Sequence, residues 1–355
     1  MTLAKAASGP RSRPALAAVL CLLLGGCAPL DQDHTPHDTF QGTTMGTTFS
    51  VTVAGDPLTA EATQDLHGAI RRRLSSLDAM MSTYDPTSEV SRFNASTSTD
   101  WFPVSRDTAA VFQHAKEISE ATAGAFDVTV GPLVDLWGFG PTGRSAGPPS
   151  DDSIARLLPT VGFKQIDVEA ETPAIRKSNA GVQSDLSGVA KGYAVDEVAE
   201  LLDAAGHSAY LIEIGGEVRT RGRRASGEPW RVGIERPSDG PSSIQRVIEL
   251  TDAALATSGD YRNYIEQDGV RISHTIDPRT GRPVTHSLAS VSVIDPLCVR
   301  ADALATALEV LGPDEAYTLA AEQKWAALLI VRDRSGRYRE RPTPAFLARA
   351  GNAAR

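Results

Sequence analysis

The sequence predicts an α+β fold, in which mixed and largely antiparallel sheets carry packed helices. Two helices are indicated early in the chain, at 59–81 and 107–123, where apolar residues recur at helical spacing. Several later apolar stretches are typical of strands and follow one another without intervening helices, which favours antiparallel pairing over a doubly wound parallel sheet. These later strands are predicted at 210–214, 230–235, 246–250, 270–273, 290–294 and 326–331.

The individual elements rest on local patterns. A first strand is predicted at 47–53, where Phe49, Val51 and Val53 alternate with polar residues as in a half-buried strand. The helix at 59–81 is amphipathic, and Gly124 ends the helix at 107–123. The glycine- and proline-rich stretch 144–151 is predicted to be a loop over the functional site. The apolar face of the helix at 59–81 is formed by Leu66, Ile70, Leu74, Leu77 and Met81.

A third helix is indicated from about Val189 to Gly206, preceded by a glycine-containing segment with charges. Asp185 precedes it, where a carboxylate can cap free N–H groups. Ser187 and Gly188 expose backbone near a helix N-terminus, which favours an anion such as phosphate. Lys191 adds a positive charge in the first turn. Capping alone would also explain Asp185, and a solvated face would explain Lys191.

A fourth helix is predicted from Val299 to Leu311, with Gly312 as its C-terminal stop. Asp302 and Thr306 are spaced i, i+4, so their side-chain oxygens lie on one face. A carboxylate and a hydroxyl suit a hard cation, magnesium or calcium. The alternative is a surface aspartate beside a threonine that bonds back to a helix carbonyl.

The run from Ser273 to Gly281 follows a predicted strand with a histidine, a carboxylate, a proline and a glycine. His274 titrates near neutral pH and is a candidate proton acceptor at the strand end. Pro278 and Gly281 suit a tight turn that would fix how this end is presented. An ordinary turn with a solvated histidine is the alternative.

Together these segments resemble the FAD:protein FMN transferases of the ApbE family, from about Gly42 to about Gly312. Many short motifs match in the same order, which chance would not be expected to preserve. They include Met45-Gly46-Thr47, Ser82-Thr83-Tyr84, Ala125-Phe126-Asp127, Trp137-Gly138-Phe139-Gly140, Ile214-Gly215-Gly216-Glu217, Trp230 to Glu235, and Ser258-Gly259-Asp260-Tyr261.

The resemblance implies a reaction in which FAD is split, its FMN part is moved to a threonine or serine of a target protein as a phosphoester, and AMP is released. It implies that Asp302 and Thr306 hold magnesium, or calcium, by their side chains, with the Gly188 carbonyl as a third ligand. His274 is then the candidate base for the acceptor hydroxyl, and Asp185 and Lys191 line the diphosphate region.

The same resemblance places the flavin site between the sheet and helix N-termini. Tyr84 and Phe126 could offer a stacking surface to a ring, although an aromatic residue is often core. The positions that match flavin-dinucleotide contacts in the family are Met45, Tyr84, Ala125, Phe126, Asp127 and Ile276.

The N-terminus indicates a bacterial lipoprotein. Lys5, Arg11 and Arg13 precede a short apolar run that is too short to span a membrane. The run ends in Leu24-Gly25-Gly26-Cys27, which resembles a lipobox. We therefore expect residues 1–26 to be a signal peptide and Cys27 to be lipidated, although a plain secretory signal with a chance cysteine is the alternative.

This predicts an enzyme lipid-anchored in the cell envelope outside the cytoplasm, in the periplasm of a Gram-negative cell, where it would meet membrane-associated flavin-accepting redox proteins. Residues 27–39 would form the tether, residues 40–335 the transferase domain and residues 336–355 a partly mobile tail. Ala28 weakly favours outer-membrane sorting.

The charge and cysteine content of the chain limit its possible partners and the ways in which its fold can be stabilised. The full chain carries a formal charge of −9, and removal of residues 1–26, with three basic residues and no acids, would take it to −12. Such an acidic domain argues against nucleic acid as a partner. Cys298 alone would remain in the mature domain, so burial rather than a disulfide must stabilise it.

Two other functions fit the same residues. A metal-dependent FAD pyrophosphatase would release free FMN and AMP to water, because only the acceptor changes. A non-enzymatic flavin-binding lipoprotein would bind FAD without needing both the cation pair and His274.

Overall fold

The structure, a computed structural model, describes residues 37–143, 147–238, 243–260, 264–267 and 270–352. The predicted signal peptide, Cys27 and residues 27–36 of the tether lie outside these ranges, as do residues 144–146 of the predicted loop. Strand β1 begins at His37, inside the segment predicted as tether. Within the described ranges, no helix combines the length and apolar character that crossing a membrane requires.

Helices in the first half of the chain begin with polar caps. Thr59, Ser88 and Ser105 each accept a hydrogen bond from a backbone N–H of the first turn. The helices are α1 (Ala60–Met81), α2 (Glu89–Ala95), α3 (Arg106–Ala121), α4 (Gly131–Leu136), α5 (Asp151–Leu157), α6 (Ala190–Ala204), α7 (Cys298–Glu322) and α8 (Pro344–Arg349).

Most of the strands in the described ranges lie in the second half of the chain. They are β1 (His37–Thr44), β2 (Thr47–Ala54), β3 (Phe102–Pro103), β4 (Ile166–Glu169), β5 (Ala174–Lys177), β6 (Tyr210–Ile214), β7 (Glu217–Arg221), β8 (Trp230–Glu235), β9 (Ile244–Leu250), β10 (Ala253–Gly259), β11 (Tyr264–Gln267), β12 (Val270–Ser273), β13 (Ile276–Asp277), β14 (Arg282–Pro283), β15 (Leu288–Asp295), β16 (Ala326–Arg332), β17 (Tyr338–Pro342) and β18 (Gly351–Asn352).

The largest sheet has eight strands in the order β1-β2-β6-β7-β10-β15-β16-β17, and each neighbouring pair is antiparallel. One face packs against α1, α6 and α7 in the main core. The other face packs against the small sheet β18-β9-β8 and α8, where Phe346 is fully buried. The predicted α+β class with largely antiparallel sheets is confirmed.

Helix α7 is broken where the sequence predicted its end. Gly312 has φ 76° and ψ 176°, outside the helical region, and Pro313 begins a second helical segment at once. The predicted stop is therefore present in the backbone, but the chain resumes a helix instead of leaving it.

The C-terminal tail differs from its prediction. Residues 338–352 form β17, α8 and β18. Strand β17 pairs with β16 at the edge of the main sheet, and α8 inserts Phe346 into the second core. Most of the segment expected to be partly mobile therefore contributes to the packed fold.

Candidate active site

Two hairpin turns lie side by side at one end of the main sheet. Met45 and Gly46 form the turn between β1 and β2 with φ of 47° and 71°, as two-residue hairpin turns require. Gly215 and Gly216 turn between β6 and β7. Because Phe49 pairs with Ile214, the two turns adjoin, and a Cβ on Gly215 would lie 2.8 Å from Thr47 Cγ2.

The predicted cation-binding face of α7 meets the segment before α6. A Cβ on Gly188 would lie 3.2 Å from both Thr306 Oγ1 and Phe126 Cε2, so these residues are in direct proximity. The backbone N–H of Gly192 donates to Asp302 Oδ2 at 2.9 Å. The structure thus brings Gly188, Asp302 and Thr306 together, as the sequence predicted.

Lys191 lies between two buried carboxylates. Its Nζ is 3.1 Å from Glu217 Oε1 and 3.8 Å from Asp302 Oδ2. Burial lowers the pKa of Lys191, but the charges of Asp302 and Glu217 outweigh it and raise the pKa overall, so the side chain is an ammonium ion at neutral pH. Lys191 is therefore not the solvated surface lysine that the sequence also allowed.

Asp185 does not cap α6, which begins only at Ala190 and has no side-chain cap at its N-terminus. Its Oδ1 instead accepts the N–H of Ser187 at 2.8 Å, and its own N–H donates to the Val128 carbonyl at 2.7 Å. The segment between Asp185 and α6 is a turn, so the carboxylate stabilises that turn. The capping role that the sequence also allowed for Asp185 is absent, because this turn separates the residue from α6.

The segment Ala125-Phe126-Asp127 is buried below the site. Asp127 Oδ1 accepts bonds from the N–H and hydroxyl of Thr129, and its Oδ2 accepts the Phe163 N–H at 2.6 Å. Burial nevertheless raises the pKa of Asp127. These side chains serve packing and local hydrogen bonds, and the structure leaves little of this segment's surface exposed to a ligand.

His274 lies at the rim of this region, half-buried. Its ring meets the ring of Phe139 edge-on, with 6.3 Å between centroids. The Tyr84 hydroxyl donates to the Phe139 carbonyl at 3.4 Å, and Tyr84 is 70% exposed. Burial and the charges of Asp185 and Asp135 raise the pKa of Tyr84. Phe139 therefore connects His274 with the exposed ring of Tyr84.

A short hairpin fixes the chain after His274. Ile276 is buried against Leu133 and Ile154, and the Trp137 indole N–H donates to the Gly281 carbonyl at 2.8 Å. Gly281 has φ 71°, and a Cβ there would lie 2.6 Å from Ile154 Cγ2. The predicted tight turn is present, and Ile276 acts as its buried anchor with no exposed side chain to offer a ligand.

The donor set fits a hard cation. Asp302 supplies a carboxylate, Thr306 a hydroxyl and Gly188 an adjoining backbone, all of them oxygen donors of the kind magnesium and calcium prefer. No group of three or more His, Cys, Asp or Glu side chains suited to a metal occurs in the described ranges. A cation here would take its remaining oxygens from water or a bound diphosphate.

Sequence reasoning assigned no role to three residues that the structure places in this region. Glu217 pairs with Lys191, Ser258 bonds the Thr306 hydroxyl at 3.1 Å, and Phe139 contacts His274. Each lies within a motif that matched the family. Their strand or loop positions were visible in the sequence, but their partners lie far along the chain and were not.

The chain is similar to known proteins over most of its length. The model of the ApbE family matches residues 45–329. The FAD:protein FMN transferase of Vibrio cholerae serotype O1 is 43% identical over 326 residues, which cover 92% of this chain and 95% of that protein.

Solved structures show the same fold. The flavin transferase ApbE from Vibrio cholerae gives a TM-score of 0.81 at 41% identity, covering 88% of this chain and 99% of that one. The apo form of Pseudomonas stutzeri flavinyl transferase ApbE gives 0.81 at 38% identity, covering 90% and 98%. The resemblance predicted from the motifs is confirmed, and the chain belongs to the ApbE family.

Proposed function

We propose that this protein transfers the FMN part of FAD to a threonine or serine hydroxyl of a target protein. The acceptor oxygen forms a bond to the FMN phosphorus, the diphosphate bridge to AMP breaks, and AMP leaves with the bridging oxygen. The observation that carries the proposal is the convergence of Gly188, Lys191, Asp302 and Thr306 at one sheet end in a member of the ApbE family.

Different residues of the site would bind the diphosphate and the flavin ring of FAD. Lys191 would bind the diphosphate at the start of α6, with the Ser187–Gly188 turn beside it, because an ammonium ion and a helix N-terminus both favour anions. Tyr84, exposed at the rim, would cover the flavin ring, and Met45 would approach it from the adjoining turn. The flavin would thus lie between the sheet end and the start of α6.

Magnesium, or calcium, would be held by Asp302, Thr306 and the Gly188 carbonyl. When bound, such a cation neutralises charge on the diphosphate oxygens. The protein itself fixes these oxygen donors in place through the Gly192 N–H on Asp302 and the Ser258 hydroxyl on Thr306.

His274 would take the proton of the acceptor hydroxyl. It is half-buried at the rim, where an incoming protein segment can reach it, and Phe139 holds its ring. The hairpin that follows, with its buried Ile276 and its Trp137–Gly281 bond, limits how far the histidine can move. General-base catalysis requires this kind of fixed placement beside the reacting hydroxyl.

The cellular setting is also proposed. Cleavage before Cys27 and lipidation of its thiol would anchor the enzyme to a membrane facing outside the cytoplasm. Residues 27–36 would then lead from the lipid to β1, the first strand of the main sheet. An anchored enzyme would meet membrane-associated redox proteins as acceptors.

Mass spectrometry tests this function. A flavin-carrying redox subunit from the same genome, with its threonine intact or changed to alanine, is incubated with the enzyme, FAD and magnesium. Transfer predicts a mass gain equal to FMN minus water on the threonine form alone. Asp302→Ala should abolish that gain. The matched control is Asp314→Ala, which removes an exposed carboxylate from the same helix and should keep the gain.

Other outcomes would redirect the assignment. Accumulation of free FMN and AMP without any gain on the acceptor would identify an FAD pyrophosphatase. Binding of FAD without turnover, across several acceptors, would identify a flavin carrier.

A further inference from the structure

Glu217 is a buried carboxylate that the proposed reaction does not use. It begins β7, directly after the Gly215–Gly216 turn, and is 4% exposed. Its Oε1 lies 3.1 Å from Lys191 Nζ. Its Oε2 is buried and makes no hydrogen bond within the described part of the chain. A buried carboxylate oxygen without a donor is costly unless a cation stands near it.

The position of Lys191 is set by the hairpin turn beneath it. A Cβ on Gly215 would lie 3.3 Å from Lys191 Cδ, so the lysine side chain passes over this turn to reach Glu217. The turn is itself held, since the Gly216 N–H donates to Glu213 Oε1 at 2.7 Å. Among the described residues, the ammonium ion has two acidic partners within 4.0 Å, Glu217 on β7 and Asp302 on α7.

These two partners make Lys191 a competitor for the predicted cation ligand. Its Nζ stands 3.8 Å from Asp302 Oδ2, and a cation bound at the same carboxylate would repel it strongly at such a distance. An ammonium ion with no other partner would stay on Asp302 and oppose the metal. Glu217 gives the ammonium ion an alternative partner to Asp302. Its Oε1 already contacts Lys191 Nζ, and its Oε2 makes no hydrogen bond within the described residues.

We propose that Glu217 is a positioning residue that holds the Lys191 ammonium ion away from Asp302, and so sets the affinity of the cation site. This inference rests on the proposed function in one respect, namely that Asp302 is a cation ligand. Glu217 itself does not touch the metal; its effect on metal binding is transmitted through Lys191.

Measuring metal affinity directly tests whether Glu217 acts on the cation site through Lys191. The affinity of the purified protein for Mn²⁺, a spectroscopic substitute for magnesium, is measured by electron paramagnetic resonance without FAD or acceptor. Glu217→Gln should weaken Mn²⁺ binding by about tenfold, because Lys191 is left with Asp302 alone. Lys191→Met should bind Mn²⁺ more tightly than the wild type.

The decisive comparison is the double variant. In the Lys191→Met background, Glu217→Gln should change Mn²⁺ affinity less than about twofold, because the competitor is gone. An equal loss in both backgrounds would mean that Glu217 acts on the metal without Lys191 and would overturn the proposal. So would an unchanged affinity for Glu217→Gln alone.

Two controls keep the test interpretable. Glu228→Gln, which removes an exposed partner of Arg224, should leave Mn²⁺ affinity unchanged. If Glu217→Gln does not fold, Glu217→Asp withdraws the carboxylate by one methylene group and should give an intermediate loss. If Asp302→Ala fails to change Mn²⁺ affinity, the cation site of the proposed function is wrong, which is a separate result.

Discussion

The hydroxyl oxygens of Ser258 and Thr306 lie 3.1 Å apart, which ties the end of β10 to the face of α7 that carries Asp302. Groups that orient a metal ligand commonly affect affinity although they do not touch the metal. We expect Ser258→Ala to weaken Mn²⁺ binding by about tenfold, measured by titration without FAD. Ser292→Ala is the control, because it removes the Thr257–Ser292 bond between strands β10 and β15. Equal affinities for the two variants would contradict an orienting role for Ser258.

His274→Asn should reduce the transfer rate by about 10²–10⁴-fold, the usual contribution of a positioned general base. FAD affinity, followed by flavin fluorescence, should stay within about twofold because Tyr84 and Lys191 remain. His207→Asn, just past the far end of α6 from Lys191, serves as the matched control. Full transfer by His274→Asn at saturating FAD and magnesium would show that another group takes the proton.

Gly281→Ala should destabilise the protein by about 2–4 kcal/mol, measured by urea unfolding. The new Cβ must adopt a positive φ and also lies 2.6 Å from Ile154 Cγ2. Gly336→Ala also requires a positive φ but meets no atom within 4 Å, so it should cost only about 1 kcal/mol. Gly281→Ala should therefore lower the free energy of unfolding more than Gly336→Ala does. Similar losses would mean that the hairpin is not closely packed against Ile154 of α5.

Glu309 gives a pH dependence of stability. It is fully buried on α7 with neither carboxylate oxygen bonded within the described ranges, and burial, assisted by the charge of Asp260, raises its pKa well above that of an ordinary glutamate. The folded state therefore keeps a proton that the unfolded chain releases. The stability associated with this proton is full below the unfolded pKa and is lost as the pH rises towards the folded pKa.

Glu309→Gln, which cannot ionise, should therefore gain stability relative to the wild type between about pH 5 and pH 8, by up to about 1.4 kcal/mol per pH unit. Urea unfolding at several pH values measures the difference. Glu322→Gln, at the exposed end of the same helix, should show a constant difference from the wild type. A Glu309→Gln curve parallel to that of the wild type would mean that Glu309 is charged in the folded protein.

Phe346→Ala should cost about 3–5 kcal/mol of folding free energy, because it empties a fully buried position between α8 and the main sheet. Leu347→Ala changes the next residue, which is 58% exposed, and should stay within about 0.5 kcal/mol. Thermal or urea unfolding measures both. A small cost for Phe346→Ala would mean that α8 is dispensable.

The spacing of apolar and polar residues was enough to predict individual helices and strands. The alternation of Phe49, Val51 and Val53 located β2, and the apolar face of α1 was correct because its members recur at helical spacing. The i, i+4 spacing of Asp302 and Thr306 placed both on one face of α7, and Gly188 lies against that face.

Contacts between residues that lie far apart in the chain could not be predicted from residue spacing. Capping of α6 was one role open to Asp185, and nothing local shows that a turn separates the residue from the helix. Glu217 begins the second strand of a hairpin and Lys191 lies in the helix before that hairpin, so the sequence around one residue does not indicate the other. The tail was expected to be partly mobile because it is basic and contains proline, a composition that does not reveal the burial of Phe346.

The positions of β17 and α8 in the chain also affect the order in which the main sheet can be completed during synthesis. A polypeptide is synthesised from its N-terminus, so these elements emerge after the other strands of the main sheet. Until they arrive, the outer edge of β16 lacks its partner strand, and the sheet face that carries Leu328 and Ile330 lacks Phe346. The strands that pack against α7 are therefore completed late, when β17 and α8 have joined them. The main sheet should therefore reach its full width, and its second face its full cover, only after both elements have been synthesised.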